Sequence, residues 1–357
     1  MDVNNARERT YPDIPRPVRY KLEQVLRNAG LYVLDSTITT QAAAKAEMTR
    51  SGHINKLVPH VSWEYQGYSI APDRSLKWQD PATQRWIDRR YDWLGVEVST
   101  PAMFETRALF DTEIDKLCQA LRSNMRLQLN RTCALHVTVS HQQPGGLHLK
   151  TLKKALSLVW LVEPLLFQMC APYRQGVKYC RPVTECSELA VLGVEAFCGG
   201  GGGGDDDIGG DDDDGDTGDE IAMADTAITS SERTPSPLVA HIPIGSLTPD
   251  QLVRLSRLWR AHNPNDVAYL MRAPNRYSDR LAVAAVRKES DHEEEEEEEI
   301  WMLEFRAHEG MLDPTLTKMW AGVCVALLKK ASAPVYEYRE LMVRILDTGW
   351  SMGGGGC

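Results

Sequence analysis

The sequence predicts an α+β fold, a curved and largely antiparallel sheet with helices on one face. Two observations lead there. Short stretches at 94–99, 133–140 and 299–308 alternate apolar and polar residues, which marks strands with one buried face, while longer stretches at 148–170 and 313–331 space their apolar residues as helices do. Helices and strands are also interspersed without the strict strand-helix-strand order of a doubly wound sheet.

Taken along the chain, "PVRYKLEQVLRNAGL" at 16–30 follows a proline and ends near Gly30, as a helix does. "VSWEYQGYSI" (61–70) reads as a strand entering a loop with Asp73 and Ser75, and "LGVEVST" (94–100) as a strand stopped by Pro101. A helix is expected at 111–123, then the strand "CALHVTVS" (133–140), then a long helix from 148 to 170 kinked at Pro164. Further helices at 247–261, opening on Thr-Pro-Asp, and at 313–331, opening on Asp-Pro, flank a strand at 279–286 and the strand beginning near 299.

The Gly/Asp run at 199–219 buries too little apolar surface to offset chain entropy. The expected organisation is a disordered N-terminus (1–15), one domain in two parts (16–198 and 241–350), a disordered insert (199–240), an acidic loop (290–299) and a disordered tail (351–357).

Composition narrows the function classes. The formal charge of -10 is concentrated in two acidic runs, outside which the chain is nearly balanced or mildly basic, so charge does not point to nucleic acid. No secretory pattern and no apolar run of membrane-spanning length is present, so a cytoplasmic, membrane-free protein is expected. The eight cysteines form no C-x-x-C pairs, so neither a zinc site nor a disulfide framework is expected.

The polar strand faces are the candidate site. Trp301, Leu303, Phe305 and Ala307 oppose Glu304, Arg306 and His308; Leu94, Val96 and Val98 oppose Glu97 and Ser99; Leu135, Val137 and Val139 oppose His136, Thr138 and Ser140. Antiparallel sheets often wet one face without any functional reason. These faces, however, carry two carboxylates, an imidazole and a guanidinium but no lysine. Carboxylates suit Mg²⁺ or Mn²⁺, and arginine grips phosphate with two parallel donors. If the three strands share a sheet, that face is a metal-phosphate surface.

The segments "GVEVSTP", "LNRTCALHVTVS", "LKTLKKALSLVWLVEPLLFQMCAPYRQGVKYCRP" and "MLEFRAHEGMLDPTLTKMWAGVCVAL" resemble, in order and spacing, the amidoligase family abundant in filamentous fungi. That family is similar to glutamine synthetase and the glutamate-cysteine ligases. The resemblance covers roughly 60–190 and 275–330. It implies ATP and Mg²⁺ as cofactors, a small-molecule or peptide carboxylate and an amine as substrates, and amide-bond formation through an acyl phosphate. It also implies metal ligands at Glu97, His136 and Glu304, phosphate or nucleotide contacts at Arg306, Thr138 and Asn130, and substrate or catalytic roles for Arg174, Arg306 and Asp73.

Departures from the family pattern leave a second reading open. No G-x-E-x-E strand precedes "RPVRYKLEQVLRNAG", the second histidine of the HVH signature is Thr138, the glycine before that signature is Ala134, and an expected asparagine is Val177. A catalytically inactive ligase-like scaffold is therefore the alternative to an active enzyme, and an acidic interaction protein unrelated to nucleotide is a third. Glu163 is expected on a helix surface rather than buried against Arg174, His308 either touches substrate or is exposed, and Trp160, Trp301 and Trp320 belong to the core. Cys133 and His136, three apart on a strand, are expected on opposite faces.

Overall fold

A computed structural model of the chain describes residues 14–34, 41–53, 65–73, 75–77, 93–104, 108–141, 145–191, 237–274, 280–288 and 300–348. The chain enters with α1 (Arg16–Asn28), which buries Leu22, Val25 and Leu26 and stops where Gly30 takes the left-handed conformation. After α2 (Gln41–Arg50), β1 (Ser69–Pro72) pairs antiparallel with β2 (Val96–Ser99), setting Ala71 opposite Glu97. α3 (Ala108–Asn124) lies against α1, and Leu117 and Leu121 complete a small core with Leu22, Leu26, Leu31, Val33 and Tyr68.

The main body follows. β3 (Ala134–Val139) leads into α4 (Leu149–Gln168), a 3₁₀ turn at Pro172–Gly176, and the single-turn helices α5 (Val183–Cys186) and α6 (Glu188–Val191). Then come α7 (Pro237–His241), α8 (Pro249–Arg260), α9 (Pro264–Leu270), β4 (Val283–Lys288), β5 (Ile300–Glu309), α10 (Pro314–Ser332) and α11 (Val335–Asp347).

β5 is the centre of a three-stranded antiparallel sheet ordered β3-β5-β4. Its alternation is realised as expected: Trp301, Leu303, Phe305 and Ala307 are all buried, in one core with α4 and α10. Each of the large side chains among them contributes roughly 1.5–3 kcal/mol by leaving water. Trp160 and Trp320 are buried in the same core.

α4 is the helix around which the rest is packed. It runs unbroken through Pro164, and every residue from Leu152 to Glu163 is buried, including two consecutive lysines. Lys153 Nζ donates to the carbonyls of Trp259 and Ala261 at the end of α8, and Lys154 Nζ to the carbonyl of Ala333 just past α10. The last carbonyls of a helix have no partner within it, so each buried ammonium meets a place that needs a donor. Burial lowers the pKa of both lysines.

Several expectations change. The three polar-faced strands do not share one sheet: among the described residues β2 belongs to the two-stranded β1-β2 sheet and β3 and β5 to the other. The strand expected at 61–70 is strand only from Ser69, its residues 61–64 lying outside the described set, and the one expected at 279–286 starts at Val283. α7 begins, with Leu238 buried, inside the stretch 199–240 assigned to a disordered insert, and Ile14 is buried within the stretch assigned to a disordered N-terminus. In each case a few apolar residues at the edge of a polar segment reach the core. The Gly/Asp run, the glutamate run and the tail at 351–357 lie outside the described residues.

Candidate active site

Glu304 is the centre of the candidate site. The inward stagger of β5 places it facing away from the core, between Thr138 on β3 and Ala284 on β4. Its Oε2 accepts a 2.6 Å hydrogen bond from Arg306 Nη2, and its Oε1 lies 3.5 Å from His136 Nδ1. The pairing of β3 with β5 shifts register between Leu135 and Val137: Leu135 stands opposite His308 and Val137 opposite Phe305, so Arg306 and Ala307 together oppose His136 and β5 carries the extra residue of a bulge. Opposite that bulge the His136 imidazole lies against the Glu304 carboxylate.

Glu97 and Asp73 approach from the other sheet. Glu97 still reaches solvent, yet partial desolvation raises its pKa, Asp73 raises it further, and a 3.4 Å hydrogen bond from Ser99 Oγ partly opposes both; Glu304 and Arg306 act on it more weakly. His136, which still reaches solvent, is pushed the opposite way. Desolvation lowers its pKa first and the Arg306 charge second, with Glu304 and Asp73 opposing and Arg174 adding slightly. The sequence-predicted residues Asp73, Glu97, His136, Glu304 and Arg306 are thus one electrostatically coupled group drawn from two sheets.

Within the β1–β2 side of the site the backbone comes close at Gly95. A Cβ on Gly95 would stand 2.6 Å from the Asp73 carbonyl oxygen and 2.9 Å from Leu76 Cβ, so only glycine lets the turn after β1 fold back on β2. Asp73 Oδ1 accepts from Ser75 N at 2.7 Å, which shapes that turn.

Other predicted site residues stand elsewhere. Arg174 is 1% exposed and lies behind the strands. Its guanidinium donates to the carbonyls of Arg306 at 2.8 Å, Ala307 at 3.1 Å and Cys133 at 3.5 Å, so it braces β5 and the start of β3 instead of facing ligand. Asn130, expected to contact nucleotide, commits its side chain to protein: Oδ1 accepts from Thr132 N and Oγ1, and Nδ2 donates to Lys77 O. Thr138 is exposed, opposite Glu304 on the polar face. His308 is neither exposed nor facing ligand; it is buried against the Trp320 ring with its Nδ1 3.3 Å from a Glu309 carboxylate oxygen.

Glu163 reverses its expectation too. It is 2% exposed and unconnected with Arg174; its carboxylate accepts from Val183 N, Thr184 N and Thr184 Oγ1, closing the start of α5. Cys133 is near Asn130, whose backbone N–H donates to its sulfur, and burial raises its thiol pKa, which keeps it from acting as a thiolate. The described cysteines are all free thiols.

Sequence reasoning missed Thr132 and Lys77. The signal was available in "NRT" at 130–132, because an asparagine two residues before an exposed backbone N–H commonly closes a turn on itself.

As metal ligands, Glu97, His136 and Glu304 do not assemble: among the described residues no three His, Cys, Asp or Glu side chains form a group that could hold an ion. Mg²⁺ does not demand such a cage, since one or two carboxylates with water and phosphate oxygens commonly suffice. Glu97 and Glu304, whose mutual repulsion helps to raise the Glu97 pKa, fit that lighter requirement. Imidazole is a poorer Mg²⁺ ligand than carboxylate.

Compared with known families, residues 27–192 match the model described as "Putative amidoligase enzyme". That span is a little under half of the chain; it contains Asp73, Glu97, Asn130, His136 and Arg174, and it ends before Glu304 and Arg306. No curated protein and no solved structure matches. No helix among the described residues is long and apolar enough to cross a membrane.

Proposed function

We propose that the chain is an ATP-dependent ligase of the amidoligase type, joining a carboxylate to an amine. The observation that carries this reading is the Glu304 carboxylate held between His136 and Arg306 on the solvent side of β5, with Glu97 of the second sheet near enough to feel its charge. The family match over 27–192 supplies the reaction class.

In this reading Arg306 binds phosphate oxygens with the donors that Glu304 does not use, and Glu304 fixes the plane of the guanidinium. His136, which stands opposite the bulge of β5 and beside Glu304, orients that carboxylate in turn. Glu97 and Glu304 would hold Mg²⁺, which neutralises charge on the transferring phosphoryl group. A substrate carboxylate oxygen attacks the γ-phosphorus as the bond to the β-phosphate oxygen breaks, releasing ADP and leaving an acyl phosphate. The amine nitrogen then attacks the acyl carbon, the carbon–oxygen bond to phosphate breaks, and the nitrogen loses a proton to solvent. Asp73 beside Glu97 attracts the amine in its cationic form, which gives one proton to solvent so that the neutral nitrogen is the species that attacks.

Arg174 in this scheme is a positioning residue. Its contacts are to the backbone of Cys133, Arg306 and Ala307, so it sets where the strands lie.

Titration of the protein with Mg·ATP in a calorimeter tests the reading. Binding is expected, and Arg306→Ala should weaken it about 10- to 100-fold, the loss of hydrogen bonds to a charged group, with little change in thermal unfolding. No heat from the wild type would abandon the nucleotide site. Binding without ADP release across panels of carboxylates and amines would favour the inactive scaffold.

A further inference from the structure

We propose that Asn130 and Thr132 are a latch that positions Asp73, pinning the turn after β1 to the turn before β3 so that the two sheets present one site. The proposal deepens the reading above and rests on it for what the site binds, but not for the latch itself.

The bonds are specific and span the chain. Asn130 Nδ2 donates to the Lys77 carbonyl at 2.6 Å, and Lys77 N donates to Thr132 Oγ1 at 3.0 Å, pairings across 53 and 55 residues of sequence. The partners are braced on their own side: Asn130 Oδ1 accepts from Thr132 N at 2.8 Å and from Thr132 Oγ1 at 2.6 Å, and Asn130 N donates to Cys133 Sγ at 3.4 Å. Cys133 O in turn accepts from Gly310 N at 2.9 Å and Arg174 Nη1 at 3.5 Å, which anchors the turn to the end of β5. On the other side, Asp73 N donates to the Gly95 carbonyl at 3.1 Å, and the Asp73 carboxylate accepts from Ser75 N at 2.7 Å.

Among the described residues no backbone ladder joins the two sheets. Beside the site, these two bonds to Lys77 tie the turn that carries Asp73 directly to the turn that leads to His136. Each is a bond between loops, where chain entropy favours opening, and the pair acts together because Thr132 Oγ1 serves both Asn130 and Lys77.

The test compares wild type with Thr132→Val, Thr132→Ser and Asn130→Ala, each alone and with Asp73→Asn. Three readings are taken: hydrogen exchange at the Ser75 and Lys77 amides, the His136 ring resonances at one fixed pH, and Mg·ATP titration. Thr132→Val and Asn130→Ala should speed exchange at both amides at least about tenfold, the effect of about 1.4 kcal/mol lost from a local opening equilibrium, while β5 amides stay protected. Both should move the His136 resonances, Thr132→Ser should restore wild-type behaviour, and neither variant should move them further once Asp73 is asparagine. Unchanged exchange, unmoved His136 resonances, or effects that add fully to Asp73→Asn would overturn the latch. If Asn130→Ala does not fold, the Thr132 pair decides. A wild type that takes up no Mg·ATP refutes the ligase reading while the exchange and resonance data still judge the latch.

Discussion

A single carboxylate shows how burial and hydrogen bonding compete at one residue. Glu163 accepts three hydrogen bonds, which favour its charged form, yet desolvation is the larger influence and raises its pKa above the ordinary 4.5. A carboxyl group with a raised folded-state pKa keeps its proton in the native protein at pH values where the unfolded chain has lost it. Its contribution to stability is therefore greatest below the unfolded value and declines as pH rises through the window above it. Glu163→Gln removes that decline: relative to wild type, the variant should gain stability between pH 4 and pH 7.5 in denaturant titrations. A relative loss over that range would show that the hydrogen bonds outweigh desolvation. None of this was legible in the sequence, where Glu163 sits on the edge of an apolar stripe and reads as exposed. Its burial depends on α5 folding back over α4, a packing that helical spacing does not encode.

Elements were more legible than residues. The strongest signals were local ones: Asp313 before Pro314, whose carboxylate accepts from Leu316 N at 3.0 Å, and Thr248 before Pro249, which forms a reciprocal pair with Gln251. Because capping uses only residues within one turn, it survives without knowledge of the fold. Thr248→Ala should cost about 1 kcal/mol of stability by leaving the Gln251 N–H without its acceptor, measurable by chemical unfolding with an unchanged slope on denaturant. A loss near zero would mean that water replaces the hydroxyl at that helix start. The alternation of β5 was equally readable, and its apolar side is wholly buried. β3 and β5 were read correctly as strands, but the bulge in β5 was not foreseen, since an extra residue becomes visible only once its partner strand is known. His308 failed for a related reason: polarity placed it on the wet face, whereas the end of β5 packs under the Trp320 ring.

At the scale of the whole molecule, the candidate site exists because two small sheets meet. Gly95 lets the turn that carries Asp73 fold back on β2, and Gly95→Ala drives a methyl group into the Asp73 carbonyl and Leu76. The expected result is a loss of the Asp73 side of the site with the main core intact: thermal unfolding of the α4–β5 body unchanged, and Mg·ATP binding weakened at least about tenfold, the scale of a displaced carboxylate contact. Retained affinity would show that the turn after β1 yields without moving Asp73.

Residue types and their local order determined the helices, the caps, the strand alternation and the resemblance to amidoligases, because each depends on neighbours within a few positions. Polar faces on three strands were also visible, and with them Glu97, His136, Glu304 and Arg306 as the residues of interest. Only the tertiary structure decided that these come from two sheets, that Arg174 lies behind the strands bonded to their carbonyls, and that Asn130 holds a turn in place. The physical reason is range. A side chain's periodicity records which way it points, but whether it meets solvent, ligand or another backbone depends on packing between segments tens to hundreds of residues apart.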